Sequence, residues 1–312
     1  MPTHLGTSTR KDSMRYRFIS PTILLALILI LGSSAMTAAA EQRIVAIGDV
    51  HGDIVATRRA LILAGAIDKD DRWIGGDLIV VQTGDQLDRG EDEQEILDLF
   101  EDLRTASQDS GGAFYALLGN HEIMNTKADL RYVTDGGFAD FEDATVFDPA
   151  DSTLARFPEY QRARMAAFLP GRPYALMLAE RYLILQLGDN VFVHGGVLPH
   201  HAAYGIDKIN SETQAWFRGL TERPKIIKDG ETPQWTRLYS DEPDADACET
   251  LAETLAALGA KRMIMGHTVQ KNGITSACDQ QAWRIDVGLA AHYGGETQVL
   301  EIIGDQIRVL KY

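Results

Sequence analysis

Residues 78–90 read Leu-Ile-Val-Val-Gln-Thr-Gly-Asp-Gln-Leu-Asp-Arg-Gly. An apolar, partly β-branched run stops at Gly84 and hands over to two carboxylates and an arginine. A continuous apolar run of this length, bounded by a turn residue, reads as a strand covered on both faces. Such a strand is rigid, so it aims whatever follows its last residue. The same device flanks it on either side. Ile44–Ile47 gives way to Gly48-Asp49-Val50-His51-Gly52, and Ala113–Leu118 to Gly119-Asn120-His121-Glu122. Helical stretches separate the three. Residues 53–64 have Asp53 placed as an N-cap and Gly65 as a stop. Residues 91–106 carry Ile96, Leu99, Phe100 and Leu103 at i, i+3, i+4 and i+7 behind an acidic first turn. Alternating strands and helices predict an α/β fold whose strands deliver polar residues to one sheet edge.

Further strands are expected at 182–187, 191–193, 262–265, 283–287, 297–303 and 306–310, the last two flanking Gly304-Asp305 as a hairpin. Two of them also run into a histidine beside glycine: His194-Gly195-Gly196 and Gly266-His267-Thr268. Residues 125–173 differ, being charged and aromatic with few β-branched side chains, and read as a helical insertion capping the site. No internal repeat interrupts this order.

A chain of 312 residues with 45% apolar content can bury a sizeable core. Its net charge of -15 argues against nucleic acid as a partner, since a phosphate backbone needs clustered Lys and Arg. It does not exclude a phosphorylated substrate, because bound cations reverse the local field. The N-terminus has the order of a secretory signal: basic Arg10, Lys11, Arg15 and Arg17, apolar 23–31, then small residues ending at Ala40. Residues 1–40 are therefore expected to be a cleaved signal peptide. The protein would be exported, periplasmic or secreted, with no stable membrane insertion after cleavage. The folded domain is expected at 41–312. Cys248 and Cys278 both survive that cleavage and could pair in an oxidising compartment, or stay as free thiols.

The residue types gathered in the motifs indicate the chemistry. Carboxylates, an amide oxygen and imidazoles, without thiolate, suit manganese, iron or zinc in a reactive site rather than a Cys-rich structural zinc. They exceed what one ion needs, and two ions bridged by one carboxylate would use them all. Four of the 8 histidines fall inside the motifs, each after an expected strand.

The order GDVHG, GDQLDRG, GNHE, HGG, GHT resembles the metal-dependent phosphoprotein phosphatases of the calcineurin-like superfamily. The runs GDQLDRG, GNHEIMN, HGGVLP and GHTVQ are most similar to the Shewanella-like branch. Leu118 stands where eukaryotic Ser/Thr phosphatases carry an arginine, and Leu238-Tyr239-Ser240-Asp241 only loosely matches their Trp-Ser-Asp segment. The resemblance implies an α/β (α+β) fold with a central β-sandwich flanked by helices. It implies that Asp49 and His51 bind a first ion, Asp85 bridges, and Asn120, His194 and His267 bind a second. It further implies His121 as general acid oriented by Asp88, with Arg89 and Asn120 on the phosphate; Arg237 is the candidate for a second arginine there. Two divalent ions, manganese being the expected pair, would turn a shared water into the hydroxide that attacks phosphorus, with no covalent phosphoenzyme. The expected substrate is a phosphoprotein, with phosphotyrosine the expected preference, or a small phosphomonoester. Two alternatives stand beside it: a symmetrical dinucleoside tetraphosphate hydrolase, and a non-catalytic metal-binding protein.

Overall fold

Val80 and Val81 are both fully buried, as a strand covered on its two faces requires. The computed structural model describes residues 41–143, 147–148, 150–228 and 230–312, together with residues 1 and 6. The expected signal peptide thus lies outside the described residues except at those two positions. Among the described residues no helix is long and apolar enough to cross a membrane.

The chain runs β1 (Arg43–Ile47), α1 (Ile54–Ala64), β2 (Ile79–Gln82), α2 (Glu93–Asp109), β3 (Ala113–Ala116), α3 (Asn120–Thr126), α4 (Asp135–Ala139), α5 (Glu159–Phe168) and α6 (Pro173–Leu178). It continues through β4 (Ile184–Leu187), β5 (Asn190–Val193), α7 (Pro199–Tyr204), α8 (Ile206–Phe217), α9 (Ala245–Leu258), β6 (Arg262–Met265), β7 (Thr275–Ala277), β8 (Ala282–Arg284), β9 (Gln298–Ile303) and β10 (Gln306–Lys311). Two five-stranded sheets result, ordered β10-β9-β1-β2-β3 and β4-β5-β6-β8-β7. In the first, β1, β2 and β3 are parallel and the β9–β10 hairpin lies antiparallel beside β1. In the second, β5, β6 and β8 are parallel. Every parallel strand therefore ends on the side where its sheet gathers the loops that follow.

Period-two alternation explains how the sheets share a core. Phe192 of β5 and Ile264 of β6 join Ile47, Val80 and Leu300 in one apolar cluster. Their neighbours Val191, Val193, Met263 and Met265 face the other way, into a cluster with Phe217, Leu251 and Leu255 from α8 and α9. The helix ends are locally encoded. Asp53 accepts a hydrogen bond from the Ala56 amide at 2.9 Å, and Gly65 closes α1 with φ 72°. Residues 125–173 hold α4 and α5 and lead into α6; Phe141 packs against Phe168 of α5 and Tyr174 of α6 with ring centroids 4.8 and 5.1 Å apart.

Some boundaries differ from the sequence reading. β3 stops at Ala116 because the Leu118 amide turns to the Tyr182 carbonyl. β8 is confined to 282–284, since the Asp286 carbonyl is taken by the Gln270 amide of a loop.

Cys248 of α9 is bonded to Cys278 in the β7–β8 turn, 30 residues on. Closing a loop of that length constrains the unfolded chain by about 2–4 kcal/mol. The double variant Cys248→Ser/Cys278→Ser should therefore unfold at lower urea by that margin. A free energy unchanged within error would show that the bond adds no net stability.

Candidate active site

Each motif residue stands directly beyond a parallel strand. Asp49 and His51 follow β1, Asp85 follows β2, Asn120 and His121 open α3 after β3, His194 follows β5, and His267 follows β6. All seven are buried. The sandwich thus brings together residues separated by up to 218 positions: the His267 amide donates to Asp49 Oδ2 at 3.1 Å.

Two glycines make the approach possible. A Cβ on Gly119 would lie 2.2 Å from Asp85 Oδ1, and one on Gly266 2.2 Å from Asp49 Oδ1. Glu122 then ties the second and third loops into one piece. Its buried carboxylate accepts from the amides of Gly119 (2.7 Å), Gln86 (2.8 Å), Asp85 (2.9 Å) and Leu87 (3.2 Å). The turns themselves are unusual: His51, Asp85, Asp88, Arg89 and His267 all have positive φ, between 40° and 73°.

The donor set fits divalent cations. His194 Nδ1 faces the Thr83 carbonyl at 3.0 Å and His51 Nδ1 faces the Leu87 carbonyl at 3.0 Å, so both rings carry the proton there and leave Nε2 bare. His194 Nε2 nevertheless lies 3.1 Å from Asp85 Oδ2, 2.9 Å from Asn120 Oδ1 and 3.1 Å from His267 Nδ1. Electron-rich atoms pointed at one another repel; a cation among them turns the arrangement into coordination. On the other side of Asp85, His51 Nε2 lies 3.7 Å from Asp85 Oδ2 and 4.0 Å from Asp49 Oδ2. Burial pushes the His51 imidazole down to about 3, against the pull of Asp85, and His267 to about 2, so both stay neutral. Burial also raises Asp49, with Asp286 and Asp85 adding to it. Asp286 itself is pushed up to about 6, chiefly by burial. Three carboxylates, Asp49, Asp85 and Asp286, are thus crowded together.

His121 is held differently. Its Nδ1 lies 2.6 Å from Asp88 Oδ2, a carboxylate rather than a carbonyl. Burial lowers the His121 pKa, but Asp85 and the bond to Asp88 reverse this and bring it above the ordinary value. Its Nε2 lies 3.7 Å from Asp85 Oδ2.

Above these groups opens a cavity of about 230 Å³. Arg89 is stacked in it between Tyr132 (4.8 Å) and Tyr293 (5.1 Å). Arg237 is anchored by the His267 carbonyl at 2.7 Å and Thr268 Oγ1 at 2.8 Å. Trp235 completes the rim. Asp49, His51, Asp85, Asp88, Arg89, Asn120, His121, His194, Arg237 and His267 are therefore gathered in one place. Sequence reasoning missed Asp286, Glu122, Tyr132, Tyr293 and Trp235. Asp286 had a usable signal, an acid inside the apolar run 283–287.

Residues 42–271 match the profile of the calcineurin-like phosphoesterases. The chain is 39% identical to Shewanella-like protein phosphatase 2 of Arabidopsis thaliana, over 85% of this chain and 76% of the relative. It is 26% identical to Shewanella-like protein phosphatase 1 of Plasmodium berghei, over 81% of this chain and 69% of that one. The solved structure of a cold-active protein tyrosine phosphatase has the same fold, with TM-score 0.70 and 24% identity over 86% of this chain and 76% of that chain.

Proposed function

The chain belongs to the calcineurin-like phosphoesterase family, among the Shewanella-like protein phosphatases, and from that membership and the site we propose a two-metal phosphatase that hydrolyses phosphomonoesters, aryl esters such as phosphotyrosine foremost. The convergence of bare imidazole, carboxylate and amide donors on both sides of Asp85 carries the reading. Asp49, His51 and Asp85 would hold one divalent cation, and Asp85, Asn120, His194 and His267 a second; manganese suits these nitrogen and oxygen donors. Such a pair supplies an activated water and neutralises charge on phosphate oxygens.

The protein's own groups do the rest. Arg89 offers a planar fork to the phosphate, already stacked between two rings. Arg237 faces the same cavity, held by backbone and hydroxyl. His121 carries the proton that the leaving oxygen needs, and Asp88 keeps its ring in place. Relatives named protein phosphatases support a phosphoprotein as substrate. The rim of Tyr132, Tyr293 and Trp235 supports an aryl ester, since a phenyl ring against aromatic faces gains about 0.5–1.5 kcal/mol over an alkyl chain.

Phosphate release should be compared on phosphotyrosine peptide, phosphoserine peptide and diadenosine tetraphosphate with manganese-loaded protein. We expect phosphotyrosine to exceed phosphoserine about 3- to 10-fold in kcat/KM, as that stacking energy implies. Equal rates would remove the aryl preference. Turnover of the dinucleotide alone would make the protein a tetraphosphatase, and no turnover of any would leave it a metal-binding protein.

A further inference from the structure

Arg164 heads the fully buried large side chains, and it sits on α5, outside every sequence motif. Its guanidinium reaches Asp88, the acid that holds His121, and three groups beside it. Nη2 lies 3.3 Å from Asp88 Oδ1, Nε donates to Asn125 Oδ1 at 2.7 Å, and Nη1 makes an ion pair with Glu93 Oε2 at 2.5 Å and donates to the Gly137 carbonyl at 2.7 Å. Asn125 is thereby oriented, and its Nδ2 donates to Asp88 Oδ1 at 2.9 Å and to the His121 carbonyl at 3.0 Å. The Asp88 amide is taken by Glu93 Oε1 at 2.6 Å. Phe141 and Phe168 lie 5.0 and 5.2 Å from the guanidinium.

We propose that Arg164 is a positioning residue for leaving-group protonation: with Asn125 it immobilises Asp88, and through Asp88 it sets the aim of His121. The inference rests on the phosphatase reading above. Three observations support it. Both Asp88 oxygens are occupied, Oδ2 by His121 alone and Oδ1 by Asn125 and Arg164, so the carboxylate has no rotation left. A buried charged group is an expensive way to fill space, and apolar residues of similar volume do that as well or better. Finally, the fork is used as a fork, its three nitrogens going to four different partners, which a lysine cannot copy.

The role predicts a signature that loss of packing would not produce. A misaimed acid matters when the leaving oxygen is basic and hardly matters when it departs unprotonated. Full-length, manganese-loaded Arg164→Lys should therefore be assayed on phenyl phosphate and on p-nitrophenyl phosphate, whose leaving group is far more acidic. Arg164→Met combined with Glu93→Gln removes the charges of that buried ion pair together and guards against misfolding of a single neutralised variant. We expect kcat on phenyl phosphate to fall about 10- to 100-fold, up to the lower end of the range for losing a general acid outright, because His121 is misaimed and not removed. On p-nitrophenyl phosphate it should fall about threefold or less, with KM for both esters held within about twofold, because no substrate contact is removed. Arg164→Lys should retain more activity on phenyl phosphate than the paired variant. Equal losses on the two esters, or no loss, would overturn the positioning role. Failure of the unaltered protein on both esters would instead remove the phosphatase reading, and this inference with it.

Discussion

Replacing His121 with Asn should lower turnover of phenyl phosphate about 10²- to 10⁴-fold, the contribution of a positioned general acid, while the fold and the bound metal remain. The residue lies at the start of α3, where its amide donates to Asp85 Oδ1 at 3.0 Å. Asn keeps that amide and roughly fills the space. It cannot carry a proton to the leaving oxygen. Asp88 would lose one partner and keep Asn125 and Arg164. Metal content is the informative companion measurement. His121, His51 and Asp85 lie close enough together to hold an ion on geometry alone. What separates His121 is its partner: a carboxylate at Nδ1 raises its basicity, whereas carbonyls at Nδ1 of His51 and His194 leave their Nε2 atoms free to face a cation. Two equivalents of metal in an inactive variant would confirm the acid. Loss of one equivalent would make His121 a ligand, and undiminished turnover would end its role altogether.

Asp85→Asn should abolish activity by a different route. Asp85 Oδ2 faces His194 at 3.1 Å and both His51 and His121 at 3.7 Å, and it lies between the two candidate ion sites. Burial raises its pKa, yet His194 and His121 beside it bring it well below the ordinary value, so it is ionised. An amide removes the negative charge and replaces one oxygen with a donor. That donor can satisfy the bare Nε2 of His194, so the metal-free variant should be at least as stable as the metal-free parent. Metal affinity should fall by about a hundredfold or more, since two ions lose a shared anion. The expected pattern is a Tm that no longer rises when manganese is added, with elemental analysis below about half an equivalent. Full occupancy would show that Asp85 does not bridge.

Much of this site was legible because strand, glycine and candidate ligand are neighbours in sequence. Gly48-Asp49, Gly84-Asp85, Gly119-Asn120 and Gly266-His267 each state their geometry within a few residues. Other parts are set by tertiary packing and leave little local trace. Arg164 looks like an ordinary helical arginine until Asp88, 76 residues earlier, is placed against it. Tyr132 and Tyr293 meet only across Arg89. Helices α8 and α9 passed unread beside louder motifs, although Asp244 and Gly259 cap α9 as its sequence allows. The disulfide could be named as possible but not decided, because spacing says nothing of Cα separation, here 5.1 Å.

The left-handed turns bear on how this protein can change. His51, Asp85, Asp88, Arg89 and His267 hold conformations that L-residues avoid at about 1–2 kcal/mol apiece. Glycine would relieve that strain at each of them, partly offset by the greater freedom it gives the unfolded chain, so a blind screen for heat resistance would reach these positions along with Asp71, Ala128 and Glu242. Each of the five motif positions bears a side chain to which the proposed mechanism gives a role, so gains there are expected to yield a sturdier and inert protein. Natural drift faces the same fork, and lineages that discard the chemistry should show glycines here early. A thermostabilised working variant has to be sought in surface loops and helix ends, away from the motifs.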